Sequence, residues 1–246
     1  MTEFLTKVYG IHGHTFKIAC LDTTPYHPSW FTYEDEKEVR ERDWNIQKGD
    51  IVFDIGAGHG SYTLTALAQG AAYVFAWCPQ GTPGEPYEAD FLRASLELNG
   101  WGDRVTIDQG GLWSETGILH EPTQIFYPFA GAAPDTSVKT HPTTSKEWFA
   151  VRSFDQWFKI AGVDPRFDPK AKFWMKLDVE GAEANVLRGA RGFICRFSPT
   201  IQIENHPLKN PSLPGLTALM MDSMSYRLVH DIPYNSVSHS LYVRKV

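Results

Sequence analysis

The chain has 246 residues, 42% of them hydrophobic and 21% charged, an ordinary balance for one compact globular unit that excludes a disordered, collagenous or repeat-built protein. Lysine and arginine number 23 against 29 aspartates and glutamates, a formal net charge of −6, so no strongly basic face for nucleic acid is expected. Cys20, Cys78 and Cys195 lie far apart without a CxxC or Cys/His ligand spacing, which suits a reduced, cytoplasmic setting. No apolar run reaches the length of a signal-peptide core or a membrane span.

Residues 1–48 read as an N-terminal extension packed on the core, broken by Pro25 and Pro28 and carrying an acidic stretch over 33–43 that suits a surface helix. His12 and His14 flank Gly13 in a turn and are expected at the surface. The main domain is placed at 49–246. Ile51, Val52, Phe53, Asp54 and Ile55 form a short, nearly continuous apolar run, the pattern of a strand buried on both faces of a parallel sheet. A glycine-rich turn over 56–60 leads into a helix over 61–69, stopped by Gly70. A second strand over 72–78, a helix over 91–98 closed by Asn99 and Gly100, and a third strand over 104–108 continue the alternation. Such alternation predicts a doubly wound α/β sheet.

Over 117–150 the pattern dissolves into glycine, proline, threonine and aromatic residues, a stretch too long for an ordinary connection. It reads as an active-site cover, with Phe126, Tyr127 and Phe129 as candidates for acceptor contacts. Strands at 173–177 and 200–204, helices at 182–188 and 216–224, and two closing strands at 226–230 and 240–243 complete the chain.

The turn after the first strand reads D-I-G-A-G-H-G, with Asp54 ahead of Gly56, Ala57, Gly58 and Gly60. Glycines at this spacing serve a nucleotide-type ligand that lies against bare backbone. A dinucleotide fingerprint needs a third glycine where this chain has Ser61. That speaks against an NAD-dependent oxidoreductase and for a nucleoside whose amino-acid tail crosses the turn, Asp54 receiving its ammonium or an adjacent water. The acid that usually ends the second strand and binds the ribose is replaced by Cys78, a weak hydrogen-bonding group. Glu85 and Glu88 in the following loop are the nearest substitutes.

A second constellation, K-L-D-V-E-G-A-E over 176–183, gathers Lys176, Asp178, Glu180 and Glu183 where a strand turns into a helix. In a parallel sheet this is the carboxyl edge, where ligands bind. Asp178 and Glu180 should face the same crevice as the glycine turn, with Glu183 one helical turn further on, capping or solvating the helix.

With these motifs the sequence resembles the FkbM family of S-adenosylmethionine-dependent methyltransferases. The likeness rests on V-F-D-I-G-A-G-H-G, L-E-L-N-G over 96–100, V-R-S-F-D-Q-W over 151–157, M-K-L-D-V-E-G-A-E-A-N-V-L-R-G-A, and I-Q-I-E-N-H-P over 201–207. The resemblance implies a Rossmann-like class I methyltransferase fold, with a seven-stranded, mostly parallel sheet whose last strand is antiparallel. It also implies S-adenosyl-L-methionine as cofactor and an acceptor hydroxyl on a sugar, glycan or secondary metabolite. The chain departs from the family where Cys78-Pro79, or Glu85-Pro86, stands for the usual E-P after the second strand, and in the length of that loop and of the cover.

Because a protonated hydroxyl is a poor nucleophile, a base beside it is expected, and the candidates are Glu180, Asp178 and His206. Lys176 is expected to pair with Glu204 or Asp178 rather than to react. The leading reading assigns no metal; in its alternative, Asp178, Glu180 and Glu204 hold a divalent ion that acidifies the acceptor. Competing functions are a degenerate methyltransferase fold acting as a binding or scaffold subunit, favoured by Cys78, and a nucleic-acid methyltransferase, disfavoured by the acidic balance and the lack of an N-P-P-Y or D-P-P-Y motif.

Overall fold

The computed structural model describes residues 4–21, 34–78, 88–120, 125–128, 148–161, 170–208, 211–234 and 237–246. The chain opens with an antiparallel hairpin, β1 (Leu5–Ile11) and β2 (His14–Cys20). Its two-residue turn is His12-Gly13, both at positive φ (52° and 74°), the backbone that matches the twist of the flanking strands. His12 Nε2 lies 2.9 Å from the Arg40 carbonyl on α1 (Glu34–Asp43), so this histidine ties the hairpin to the next helix; His14 is exposed.

The central βα units follow: β3 (Ile51–Ile55), α2 (Ser61–Gln69), β4 (Tyr73–Trp77), α3 (Glu88–Asn99) and β5 (Val105–Asp108). Then come β6 (Gly111–Trp113), β7 (Gly117–His120), β8 (Ile125–Pro128), β9 (Trp148–Ser153) and α4 (Phe154–Ala161). The chain continues through β10 (Phe173–Leu177), α5 (Glu183–Gly189), α6 (Arg191–Phe197), β11 (Thr200–Asn205), α7 (Leu213–Ser223), β12 (Tyr226–Tyr234) and β13 (Val237–Arg244).

Seven strands form the main sheet in the order β5-β4-β3-β10-β11-β13-β12. The pairs from β5 to β11 are parallel, whereas β13 runs against both its neighbours, so the sheet is mixed with one reversed strand. The order turns back between β3 and β10, which opens a crevice at the carboxyl ends of these strands.

Side chains alternate across the sheet. Ile51, Phe53 and Ile55 face one layer, where Phe53 meets Phe75, Phe154, Phe173 and Phe193 with ring centroids 5.0–5.9 Å apart. Val52 faces the other layer, with Leu64 and Leu67 of α2, Trp44, and Ile11, Phe16 and Ile18 of the hairpin. Residues ahead of β3 thus share the core of the sheet. The Ala19 N–H donates to Ser95 Oγ of α3 at 2.9 Å, and Asn99 exchanges hydrogen bonds with the Lys17 backbone.

The stretch expected as an unpatterned cover contains ordered strands. β7 pairs antiparallel with β8 and with β9, and β9 pairs with β6, giving a second sheet of order β6-β9-β7-β8. Apart from the six-residue β9, these strands are three or four residues long and begin or end at glycine or proline, too short to show a period, which is why the sequence does not reveal them. Arg152 of β9 ties this sheet to the main one through Asp108 at the end of β5, at 2.6 Å. Phe129 lies outside the described residues, as do the side chains of Phe126 and Tyr127.

Candidate functional site at the carboxyl edge

Register places the polar residues of three adjacent strands side by side. Asp54 of β3 is level with Lys176 of β10, and Lys176 with Gln202 of β11. With a side-chain period of two, Asp178 and Glu204 follow on the same face, and Glu204 is level with His239 of β13. This is the face α2 covers, and α2 supplies the partners: Thr63 Oγ1 donates to Asp54 Oδ2 at 2.6 Å, while the Gln202 side-chain amide donates to the Tyr62 hydroxyl at 3.2 Å.

Lys176 joins the halves of the crevice. It is 4% exposed, and its ammonium donates to Asp178 Oδ2 at 2.9 Å and to the Gly56 carbonyl at 3.4 Å, 4.4 Å from the Tyr62 ring centre. Burial opposes its charge, but Asp178 and Asp54 outweigh burial and hold its pKa above the ordinary value. Burial likewise works against the Asp178 carboxylate, and Lys176 outweighs it, so Asp178 stays ionised below its usual range. Asp54 is different: it is wholly buried, and burial pushes its carboxyl up despite Lys176.

The glycines of the turn divide by what demands them. A Cβ on Gly56 would lie 1.7 Å from the Asp178 carbonyl, so this glycine serves the close approach of the β10 turn. Gly60 is pressed by Leu92 in the same way. The Gly56 and Ala57 N–H groups both donate to the Trp77 carbonyl, which fixes the turn and commits these donors to the protein. Gly58 is the one of the three whose missing Cβ faces a gap: its nearest neighbour is Glu88 Oε2 at 3.9 Å, with φ at +52°.

Cys78 is buried and its thiol donates to the Gly58 carbonyl at 3.4 Å. Burial, and then the Glu88 charge, push its pKa up, so it stays a neutral clasp on the turn. Glu88, from the first turn of α3, brings its Oε2 to 3.9 Å from where a Gly58 Cβ would stand. Glu85 lies outside the described residues.

After β10 the backbone turns through Glu180 at φ 57° and Gly181 at φ 102°. A left-handed glutamate costs on the order of 1 kcal/mol, and it leaves the Glu180 side chain 60% exposed at the rim, with Oε2 3.6 Å from His206 Nε2. Glu183, expected to cap or solvate its helix, is instead wholly buried. Its Oε1 accepts from the Val179 and Gly181 N–H groups at 3.2 and 3.1 Å, and His206 Nδ1 donates to it at 3.0 Å.

On its other side His206 Nε2 faces Asp178 Oδ1, Glu180 Oε2 and Glu204 Oε1, each at 3.6 Å. Burial alone would lower the imidazole, but the Glu183 hydrogen bond and the surrounding carboxylates raise it to about 9. His239, 1% exposed, is held neutral by burial, its pKa lowered to about 4.

The structure thus brings Asp54, Gly58, Cys78 and Glu88 together at the turn, and Asp178, Glu180 and His206 beside it. Lys176 pairs with Asp178, one of its two expected partners. Sequence reasoning gave Thr63 and His239 no role, since a helix threonine and a strand histidine carry no local signal; only the sheet register places His239 beside Glu204.

A reversed strand in an otherwise parallel seven-stranded sheet, with a glycine turn and an acidic second turn at its switch point, defines an α/β methyltransferase-like fold. The sequence matches the Methyltransferase FkbM domain family over residues 54–228. A methyltransferase FkbM from Methylobacillus flagellatus KT shares the fold with a TM-score of 0.50 at 18% identity, covering 79% of this chain and 43% of that one. A putative SAM-dependent methyltransferase from Streptococcus mutans gives a TM-score of 0.51 at 8% identity, covering 97% of this chain and 55% of that one. The chain spans about half the length of these two structures, and at these identities the likeness is one of fold. No curated protein matches the sequence significantly.

The chain belongs to the FkbM methyltransferase family, whose cofactor is S-adenosylmethionine. The site fits that cofactor in two respects. Asp54 Oδ1 is buried with no hydrogen-bond partner among the described residues, so a donor is wanted there, and Gly58 leaves the gap that a ligand lying across the turn requires.

Proposed function

We propose that the protein transfers a methyl group from S-adenosylmethionine to a hydroxyl of a small-molecule, sugar or glycan acceptor. The observation that carries this reading is the shared edge: the glycine turn, Asp178, Glu180 and His206 line one crevice, joined through Lys176. The acidic balance of the chain favours such an acceptor over nucleic acid. Among the described residues no helix is long and apolar enough to cross a membrane.

In this reading Asp54, the turn at Gly56, Ala57, Gly58 and Gly60, Cys78 and Glu88 form the cofactor side, with Glu88 taking the place of the strand-end acid and Cys78 bracing the turn. When bound, S-adenosylmethionine supplies an activated methyl group on a sulfonium, which suits in-line displacement. The chain's own task is to align the acceptor and take its proton. Glu180 is placed for that: it is exposed at the rim, with Oε2 3.6 Å from His206 Nε2. His206, with its pKa raised to about 9, carries its proton at neutral pH, so in the absence of another cation it orients and neutralises carboxylates rather than acting as a base. The second sheet, reaching the main sheet at Asp108, lies on the acceptor side as a cover.

The test is calorimetric titration with S-adenosylhomocysteine, followed by methyl transfer to a panel of hydroxyl acceptors. Binding should weaken at least tenfold in Asp54→Ala and Glu88→Gln and persist in Cys78→Ser. Glu180→Gln should keep binding and lose on the order of a hundredfold in turnover. A parent protein that does not bind S-adenosylhomocysteine would overturn the enzymatic reading in favour of a binding or scaffold role.

A further inference from the structure

We propose that Asp178, Glu204 and His206 form a binding site for one divalent transition-metal ion at the carboxyl edge of the sheet. One ligand atom from each lies within 4.8 Å of the others, and His206 Nε2 is 3.6 Å from both Asp178 Oδ1 and Glu204 Oε1. These gaps are too long for hydrogen bonds. They suit ligands sharing an ion: at metal–ligand distances of about 2.1 Å, neighbouring ligands of a tetrahedral centre stand about 3.4 Å apart.

The tautomer of His206 is set for this role. Glu183 Oε1 already accepts two backbone N–H groups, so it can only accept from Nδ1. With the proton on Nδ1, the Nε2 lone pair of the neutral ring is directed at Asp178 and Glu204. A buried carboxylate holding the far nitrogen of an imidazole is the arrangement that orients metal-ligating histidines.

A separate observation points to a further group at this site. His239 is 1% exposed, yet neither of its ring nitrogens makes a hydrogen bond among the described residues, and its Nδ1 faces Glu204 Oε2 across 3.7 Å. Glu183 Oε2 is also buried without a hydrogen bond. Polar atoms left this way are rare unless a further group completes the site. Four carboxylates, Asp178, Glu180, Glu183 and Glu204, converge on one imidazole.

Two carboxylates and an imidazole favour Mn2+, Fe2+, Co2+ or Zn2+ over Ca2+, which takes oxygen ligands. The site differs from the oxygen-only set Asp178, Glu180 and Glu204: His206 is the third ligand, and Glu180 stays at the rim. Its use in methyl transfer rests on the function proposed above. An ion there lowers the pKa of a hydroxyl that reaches it, and Glu180 is placed to take the proton.

The probe is Mn2+, titrated into chelator-treated protein and followed by electron paramagnetic resonance, with S-adenosylhomocysteine binding measured on the same samples. One Mn2+ per chain is expected, weakened at least tenfold in Glu204→Gln and in Asp178→Asn, unchanged within threefold in Cys195→Ser, and not displaced by equimolar Ca2+. Cofactor-product binding and an unchanged thermal midpoint show that each variant is folded. No stoichiometric Mn2+ signal in the parent, or equal affinity in a folded Glu204→Gln, overturns the metal site even if S-adenosylhomocysteine binds. Mn2+ binding that follows the variants in a protein that ignores S-adenosylhomocysteine upholds the metal site and overturns the methyl-transfer reading instead.

Discussion

Single positions in the glycine turn separate the glycine that packing demands from the one proposed to cradle the cofactor. Gly56→Ala drives a Cβ into the Asp178 carbonyl at φ +85°; we expect a loss above about 3 kcal/mol in urea unfolding, or no folded protein at all. Gly58→Ala meets nothing nearer than Glu88 Oε2 and should cost only about 1 kcal/mol for its left-handed φ, yet lower S-adenosylhomocysteine affinity at least tenfold by calorimetry. Equal stability losses in the two variants would count against a cradle at Gly58. His59, next to Gly58 in sequence, is held neutral by burial, its pKa lowered from 6.5 to about 4. A folded value below the unfolded one contributes stability that is complete above pH 6.5 and lost as pH falls through about 4, at most about 3 kcal/mol. The urea midpoint should therefore fall between pH 7 and pH 4.5 by less in His59→Gln than in the parent. The motif residues themselves were legible from sequence, because Asp54, Gly56 and Glu180 stand within short, ordered strings. Which glycine packing demands was not, since the answer lies in the Asp178 carbonyl, more than a hundred residues away.

Secondary elements show the same division. Strands Ile51–Ile55 and Phe173–Leu177 were readable because burial on both faces makes them continuous apolar runs. Helices α4 and α6 carry no such signal: seven or eight residues span only two turns, and neither is bracketed by glycine at both ends, as Gly181 and Gly189 bracket the equally short α5. What holds α6 is a cap from another element. Asp155 of α4 accepts from the Gly192 and Phe193 N–H groups, both at 2.7 Å, meeting first-turn donors that a helix cannot satisfy itself. Asp155→Ala should lower stability by about 1–2 kcal/mol in urea unfolding and leave S-adenosylhomocysteine affinity unchanged, because α6 stands away from the crevice. A matching loss of affinity would mean that α4 and α6 support the site more directly than their contacts indicate.

For the whole molecule, the layer on the α2 side of the sheet ties the N-terminal hairpin to its centre: Ile11, Phe16 and Ile18 pack in one cluster with Val52, Leu64 and Trp44. Residues 4–21 should therefore open with the sheet and not before it. Native-state hydrogen exchange read by mass spectrometry should show peptides covering β2 and β3 exchanging with the same opening free energy. Earlier exchange of β2 would mark the hairpin as an appendage. The reversed strand β13 has a further meaning for how the chain is made. It inserts between β11 and β12, so a ribosome that has delivered everything up to residue 234 has produced two strands whose shared partner is still missing. Until residues 237–244 emerge, β11 presents a bare hydrogen-bonding edge and Glu204 waits for His239. A nascent chain stalled in that interval is open to strand addition by a neighbour.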